Sequence, residues 1–162
     1  MKKNKFRLLI VALMVITAAS MLMACGSKLP EGKKNSDGYT HISEKEAQKL
    51  IDNAKKNNAL VIDVRGKQAW KMGHTPNSMG LEYDDLMGDK QLKELSDKDQ
   101  PIILYCERGV LSKNVAKKLA SEGYTNIYEF NGMKYWKSKV IIDKEYKGLD
   151  TGFKDNKNVV YE

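Results

Sequence analysis

The chain has 162 residues, with 28 Lys+Arg against 21 Asp+Glu and a formal charge of +7. That length holds one compact domain with appendages and excludes a multidomain machine; with 41% apolar and 30% charged residues, an intrinsically disordered chain is excluded as well. Four bases, Lys2, Lys3, Lys5 and Arg7, lie in the first seven residues, well ahead of the first acid, Glu31, so much of the excess is local to the N-terminus and gives no support for nucleic-acid binding.

Residues 1–7 read as a basic flank, 8–23 as an apolar run broken only by Thr17 and Ser20, and Leu22-Met-Ala-Cys-Gly26 as its end. A positive flank, an apolar stretch and a small residue before the cut make a secretory signal. Sixteen residues rise about 24 Å as a helix, short for a hydrocarbon core about 30 Å thick, which weakens the competing reading of an uncleaved membrane anchor. The Leu-x-Ala-Cys-Gly ending resembles the lipobox of bacterial lipoproteins. That resemblance implies a diacylglyceryl group on Cys25, which becomes the mature N-terminus, and an extracytoplasmic protein anchored to the lipid bilayer. A cut that leaves Cys25 as a free thiol is the alternative. Cleavage before Cys25 removes those four bases and no acid, leaving 24 bases against 21 acids.

Residues 25–37 then form a polar tether containing Pro30 and Gly32. A domain over 38–140 follows, with a C-terminal extension over 141–162. Tyr39 to Ile42 is a strand candidate. Ser43 and Glu46 have capping-box spacing, and Ala47, Leu50, Ile51 and Ala54 continue at helical spacing, predicting a helix to about Lys56. Leu60 to Val64 is a continuous β-prone run of the kind a buried parallel strand carries. Gly73-His-Thr-Pro76 reads as a loop, Ser78 to Leu81 as a short strand, and Leu86 to Leu95 as short helical pieces.

Pro101 to Tyr105 is the second strong buried strand. Leu111, Val115, Ala116 and Leu119 mark one face of a helix that Gly123 stops. Ile127 to Phe130 predicts another strand and Met133 to Lys139 a last helix; Val140-Ile-Ile142 either packs on the domain or trails from it. Strands alternating with helices imply an α/β fold of three layers, a mostly parallel sheet with helices on both faces.

Cys106 stands where a buried strand passes directly into a helix. Ligands in open α/β sheets collect at the carboxyl ends of strands, and a helix N-terminus offers unpaired N–H groups and partial positive charge. A thiol so placed is stabilised as its anion, the nucleophilic form. Gly109 permits a positive φ that lets the loop turn its amides inward. The competing reading is a small buried core residue, since free cysteine is among the most buried residue types. Cys25 and Cys106 alone make no disulfide framework.

Four segments, Val61-Ile-Asp-Val-Arg65, Gly73-His-Thr-Pro76, Ile103-Leu-Tyr-Cys-Glu-Arg-Gly109 and Asn131-Gly-Met-Lys-Tyr-Trp136, resemble those of single-domain rhodaneses in order and spacing. The resemblance implies the rhodanese-like fold and a sulfurtransferase. Cys106 would carry a sulfane sulfur as a persulfide, with Glu107, Arg108, Gly109, Val110, Leu111 and Ser112 forming the substrate loop. It further implies a sulfane-sulfur donor such as thiosulfate or a polysulfide, and a small thiol or cyanide as acceptor. No cofactor is implied, and the sequence has no His/Cys cluster for a metal. The family loop reads C-x-x-G-x-R-S, whereas Leu111 stands here at the arginine position. Glu107 beside the nucleophile disfavours anionic donors, and Arg108 restores positive charge from another position.

A phosphatase of this fold needs C-x5-R, and Ser112 occupies the arginine's place. Thioredoxin-like redox chemistry needs a C-x-x-C pair that the sequence lacks. Asp63 and Arg65 read as a structural ion pair, His74 as a loop organiser rather than a general base, and Trp70 and Trp136 as packing residues. Lys113, Lys117 and Lys118 read as a solvated helix face. The alternative function is a catalytically weak rhodanese-like binding module at the membrane surface, since a fold does not guarantee its activity.

Overall fold

A computed structural model describes Leu29 and residues 32–89, 92–153 and 155–162. The signal-like run and Cys25 lie outside the described residues. Strands β1 (Thr40–His41), β2 (Leu60–Asp63), β3 (Ser78–Gly80), β4 (Ile102–Tyr105) and β5 (Ile127–Glu129) form one sheet in the order β1-β5-β4-β2-β3. Every pairing in it is parallel. All four residues of the central strand β4 are buried, as a strand covered on both faces requires.

Alternation along the strands splits the core into two layers. Val61, Ile103, Tyr105 and Tyr128 face one side and pack with Ala47, Leu50 and Ile51 of helix α1 (Glu44–Asp52). Ile62, Ile102, Leu104 and Ile127 face the other. There they meet Leu86 of α3 (Tyr83–Met87), which follows the short α2 (Lys67–Lys71), and Val115, Ala116 and Leu119 of α4 (Val110–Ser121). The fold is therefore the mixed α/β arrangement with a parallel sheet that the alternation of elements predicts.

Local chemistry sets the boundaries. Ser43 caps α1 with both halves of the capping box, the Glu46 amide donating to Ser43 Oγ and the Ser43 amide to Glu46 Oε2. The helix stops at Asp52, four residues short of the predicted end. Asn53 takes over there: its side-chain amide donates to the Lys49 carbonyl and competes with further helical turns. Helix α4 ends where predicted, with Gly123 at φ +90° just beyond it. The short helix α2 is not predicted by the sequence.

The predicted last helix over 133–139 is replaced by a single 3-10 turn, Met133–Tyr135. Its amides are engaged elsewhere: Met133 donates to the Cys106 carbonyl at 2.9 Å and Lys134 to the Glu107 carbonyl at 3.0 Å. Beyond it, β6 (Val140–Ile142) and β7 (Val159–Tyr161) pair in parallel as a second small sheet. Ile141 exchanges both backbone hydrogen bonds with His74, and Val140 and Ile142 are buried. The extension thus folds back onto the domain.

Candidate active site

The site is built at the carboxyl end of β4. Leu104 and Cys106 lie two residues apart and so point to the same side of the sheet, toward α4. Gly109 takes φ +85°, ψ 0° immediately before α4, a left-handed conformation that costs glycine little. That turn brings its amide back onto the cysteine: Gly109 N–H donates to Cys106 Sγ at 3.1 Å. The hydroxyl of Ser112, in the first turn of α4, lies 3.5 Å from the same sulfur. The thiol is 2% exposed, so it sits on the floor of the loop rather than at its mouth. Glu107, Arg108, Val110 and Leu111 form the exposed upper part of the loop, with Val110 65% exposed.

Three further interactions fix the loop. Arg65 reaches from the end of β2 with Nε 2.9 Å and Nη2 2.6 Å from the two oxygens of Asp63. The same guanidinium donates to the Gly73 carbonyl at 2.6 Å and to Glu107 Oε2 at 3.1 Å. It therefore ties β2, the 73–76 loop and the Cys106 loop together. Burial pushes the Asp63 carboxyl up, against the pull of Arg65. Burial of Arg65 also opposes its charge, yet contact with Asp63 leaves it above its ordinary value. Gly132 supplies a close approach: a Cβ there would stand 2.0 Å from the Cys106 carbonyl oxygen.

His74 is held away from any acid–base role toward the sulfur. Its Nδ1–H donates to the Trp70 carbonyl at 2.7 Å, and its ring stacks on Trp70 with centroids 3.8 Å apart. Burial pushes its pKa below the ordinary value. Trp136 packs in the core against Phe130. Along α4, Lys117 pairs with Asp37 and Lys118 with Glu122.

A family model described as a rhodanese-like domain matches residues 45–139. The chain belongs to the rhodanese-like family. It is 31% identical over 101 residues to the protein named thiosulfate sulfurtransferase GlpE of Coxiella burnetii, a match covering 62% of this chain and 89% of that one. The protein of the same name from Haemophilus influenzae is 32% identical over 90 residues, covering 54% and 83%. Among solved structures, an uncharacterised protein from Saccharomyces cerevisiae superposes with TM-score 0.51 at 21% identity, covering 59% of this chain and 88% of that one. A thiosulfate sulfurtransferase from Pseudomonas aeruginosa gives TM-score 0.51 at 17% identity, covering 62% and 19%. These two likenesses support the fold.

In this rhodanese-like site the structure gathers Cys106, Gly109 and Ser112 around the sulfur. It brings Asp63, Arg65 and Glu107 together beside it and leaves Arg108 exposed. The guanidinium that answers Glu107 is Arg65, whereas the sequence pointed to Arg108 as the compensating charge. A cleft of about 240 Å³ opens next to this group, lined by Arg65, Glu107 and Trp136 and by Phe153 and Asp155 of the extension.

Two groups escaped the sequence reading. Glu129, at the end of β5, is fully buried; its Oε1 accepts from Ser112 Oγ at 2.8 Å, and its Oε2 meets His41 Nδ1 at 2.7 Å. The available signal was alternation within Ile127-Tyr-Glu-Phe130, which puts a carboxylate on the same buried face as Ile127, where a charge needs partners. Gly132 was visible only as part of a family segment.

Proposed function

We propose that this chain is a sulfurtransferase that carries a sulfane sulfur as a persulfide on Cys106. The observation that carries the reading is the Gly109 amide aimed at Cys106 Sγ at the N-terminus of α4. That arrangement favours an anion on sulfur, whether thiolate or persulfide. The names of the relatives point to thiosulfate as donor. The Cys106 thiolate attacks the outer sulfur of thiosulfate, the new S–S bond forms, and sulfite departs with the electron pair of the broken bond. A small thiolate or cyanide then attacks the outer sulfur of the persulfide and returns Cys106 as thiolate.

The low exposure of Cys106 suits a small donor, and the Arg65 contact offsets the charge of Glu107 at the entrance. With Leu111 where the family has arginine, the loop meets the sulfur through the Gly109 amide and the Ser112 hydroxyl. The lipobox reading of Cys25 places the enzyme on the outer face of a bacterial membrane, the 25–37 tether linking lipid to domain.

Thiocyanate formation from thiosulfate and cyanide tests the activity. The full chain should release thiocyanate, and Cys106→Ser should not. The exposed Val110 and Leu111 keep one other reading in view, a binding module that docks a partner through this apolar rim. No thiocyanate from the wild type with either thiosulfate or polysulfide would favour that module.

A further inference from the structure

Six large apolar side chains are exposed among the described residues, and three of them, Val110, Leu111 and Tyr135, belong to the Cys106 loop or to the turn that abuts it. Val110 and Leu111 open α4 directly after Gly109. Tyr135, 53% exposed, closes the 3-10 turn whose Lys134 amide donates to the Glu107 carbonyl at 3.0 Å. Single apolar residues scattered over a surface are ordinary, whereas a group of them around one cysteine marks a contact surface. The bases beside them are unpaired. Arg108 and Lys134 are exposed, and Lys113 follows Val110 by three residues on the same face of α4. None of the three pairs with an acid among the described residues; Lys134 Nζ lies instead 5.6 Å from the centroid of the Tyr135 ring. The one acid of the loop, Glu107, is already answered by Arg65 at 3.1 Å.

We propose that this basic and apolar rim docks a protein acceptor, one that presents its cysteine on an acidic segment carrying apolar side chains. Cys106 is 2% exposed, so an acceptor approaches past the exposed upper part of the loop. Cyanide or a small thiol touches little of that surface. A cysteine carried on a chain brings neighbouring side chains with it, apolar ones against Val110, Leu111 and Tyr135, and carboxylates against Arg108, Lys113 and Lys134. The partner's thiolate attacks the outer sulfur of the Cys106 persulfide, and the new S–S bond forms. The bond between Cys106 Sγ and that sulfur breaks with its electron pair left on Cys106, and the partner leaves as the persulfide. An anionic bilayer would satisfy the same charges, but it would cover the entrance that a water-soluble donor uses.

The inference names the acceptor class and rests on the sulfurtransferase reading for its chemistry, but docking is measurable without sulfur transfer. The probes are two short synthetic peptides, each with one cysteine among leucines, one rich in glutamate and the other with lysine at every glutamate position. Fluorescence anisotropy with the full chain carrying Cys106→Ser reads docking alone, and peptide mass after loading the wild type with thiosulfate reads transfer. The glutamate peptide should bind more tightly and accept sulfur faster than the lysine peptide, each by about tenfold at low salt, with the preference fading at high salt. Lys113→Glu combined with Tyr135→Ser should abolish the preference while leaving thiocyanate formation from cyanide within about twofold of wild type. Equal binding and equal transfer for the two peptides overturn the proposal. So does an equal loss of cyanide and peptide turnover in the double variant, which would mark the two residues as supports of the loop. Binding to phosphatidylglycerol vesicles that the double variant loses, with no preference between peptides, would assign the rim to the membrane and overturn it as well. A wild type that forms no persulfide, beside a Cys106→Ser chain that binds the glutamate peptide with the predicted preference, would defeat the sulfurtransferase reading and leave the docking surface standing.

Discussion

Cys106 and His74 illustrate how burial gives two reactive side chains different fates. Cys106 ends a buried strand but meets an amide hydrogen and a hydroxyl, so its sulfur has polar company. His74 is spent on the Trp70 carbonyl and ring, and burial holds its pKa below the ordinary 6.5. The folded state therefore refuses a proton that the unfolded chain accepts. Its contribution to stability is complete above 6.5 and is lost as the pH falls through the lower folded value. Urea unfolding should show stability declining from about pH 7 to pH 5, with a shallower decline in His74→Gln. Equal slopes in the two proteins would mean that His74 is not the group responsible. The location of Cys106 was legible because a strand, a cysteine and a glycine-containing turn follow one another in sequence. Glu129 was less so, since its role depends on β1, β5 and α4 meeting in space.

At the scale of elements, the segment after β5 shows one requirement overriding another. Residues 133–139 have the look of a helix, yet the Met133 and Lys134 amides are committed to the carbonyls of Cys106 and Glu107. Those two bonds buttress the Cys106 loop, and they go with a chain that at Gly132 lies almost against the Cys106 backbone. Gly132 and Gly148 have similar φ values, +95° and +89°, but a Cβ at Gly148 meets nothing within 4 Å. Both Ala substitutions carry the backbone strain of about 1–3 kcal/mol, and only Gly132→Ala adds the backbone collision. Thermal unfolding should therefore place Gly132→Ala clearly below Gly148→Ala, and the Gly132 variant should also form persulfide more slowly. Matching melting temperatures would contradict this close approach. The strands were readable from apolar runs; this turn was not, because its hydrogen-bond partners lie about 27 residues earlier in the chain.

Over the whole molecule, the C-terminal extension completes what the family match leaves uncovered. The matched region ends at 139, whereas β6 and β7 continue the packing over one core layer, and the Phe153 ring fills the space over Gly73. The same segment supplies Phe153 and Asp155 to the cleft beside Glu107. Removing residues 143–162 strips β6 of its partner and uncovers Phe153 and Val159 contacts, a loss of about 2–4 kcal/mol at ordinary transfer energies. A chain truncated there should melt at lower temperature; an unchanged melting temperature would show that the extension adds nothing to the fold. The sequence left this segment's fate open because its apolar content is confined to short runs that gain meaning only against the 73–76 loop. The central claim concerns Cys106 and is tested most directly by incubating the full chain with thiosulfate and mapping that peptide by mass. The account predicts a gain of about 32 Da, one sulfur atom, on Cys106 that is removed by a thiol reductant and is absent in Cys106→Ser. An unmodified Cys106 peptide after exposure to both thiosulfate and polysulfide would contradict it.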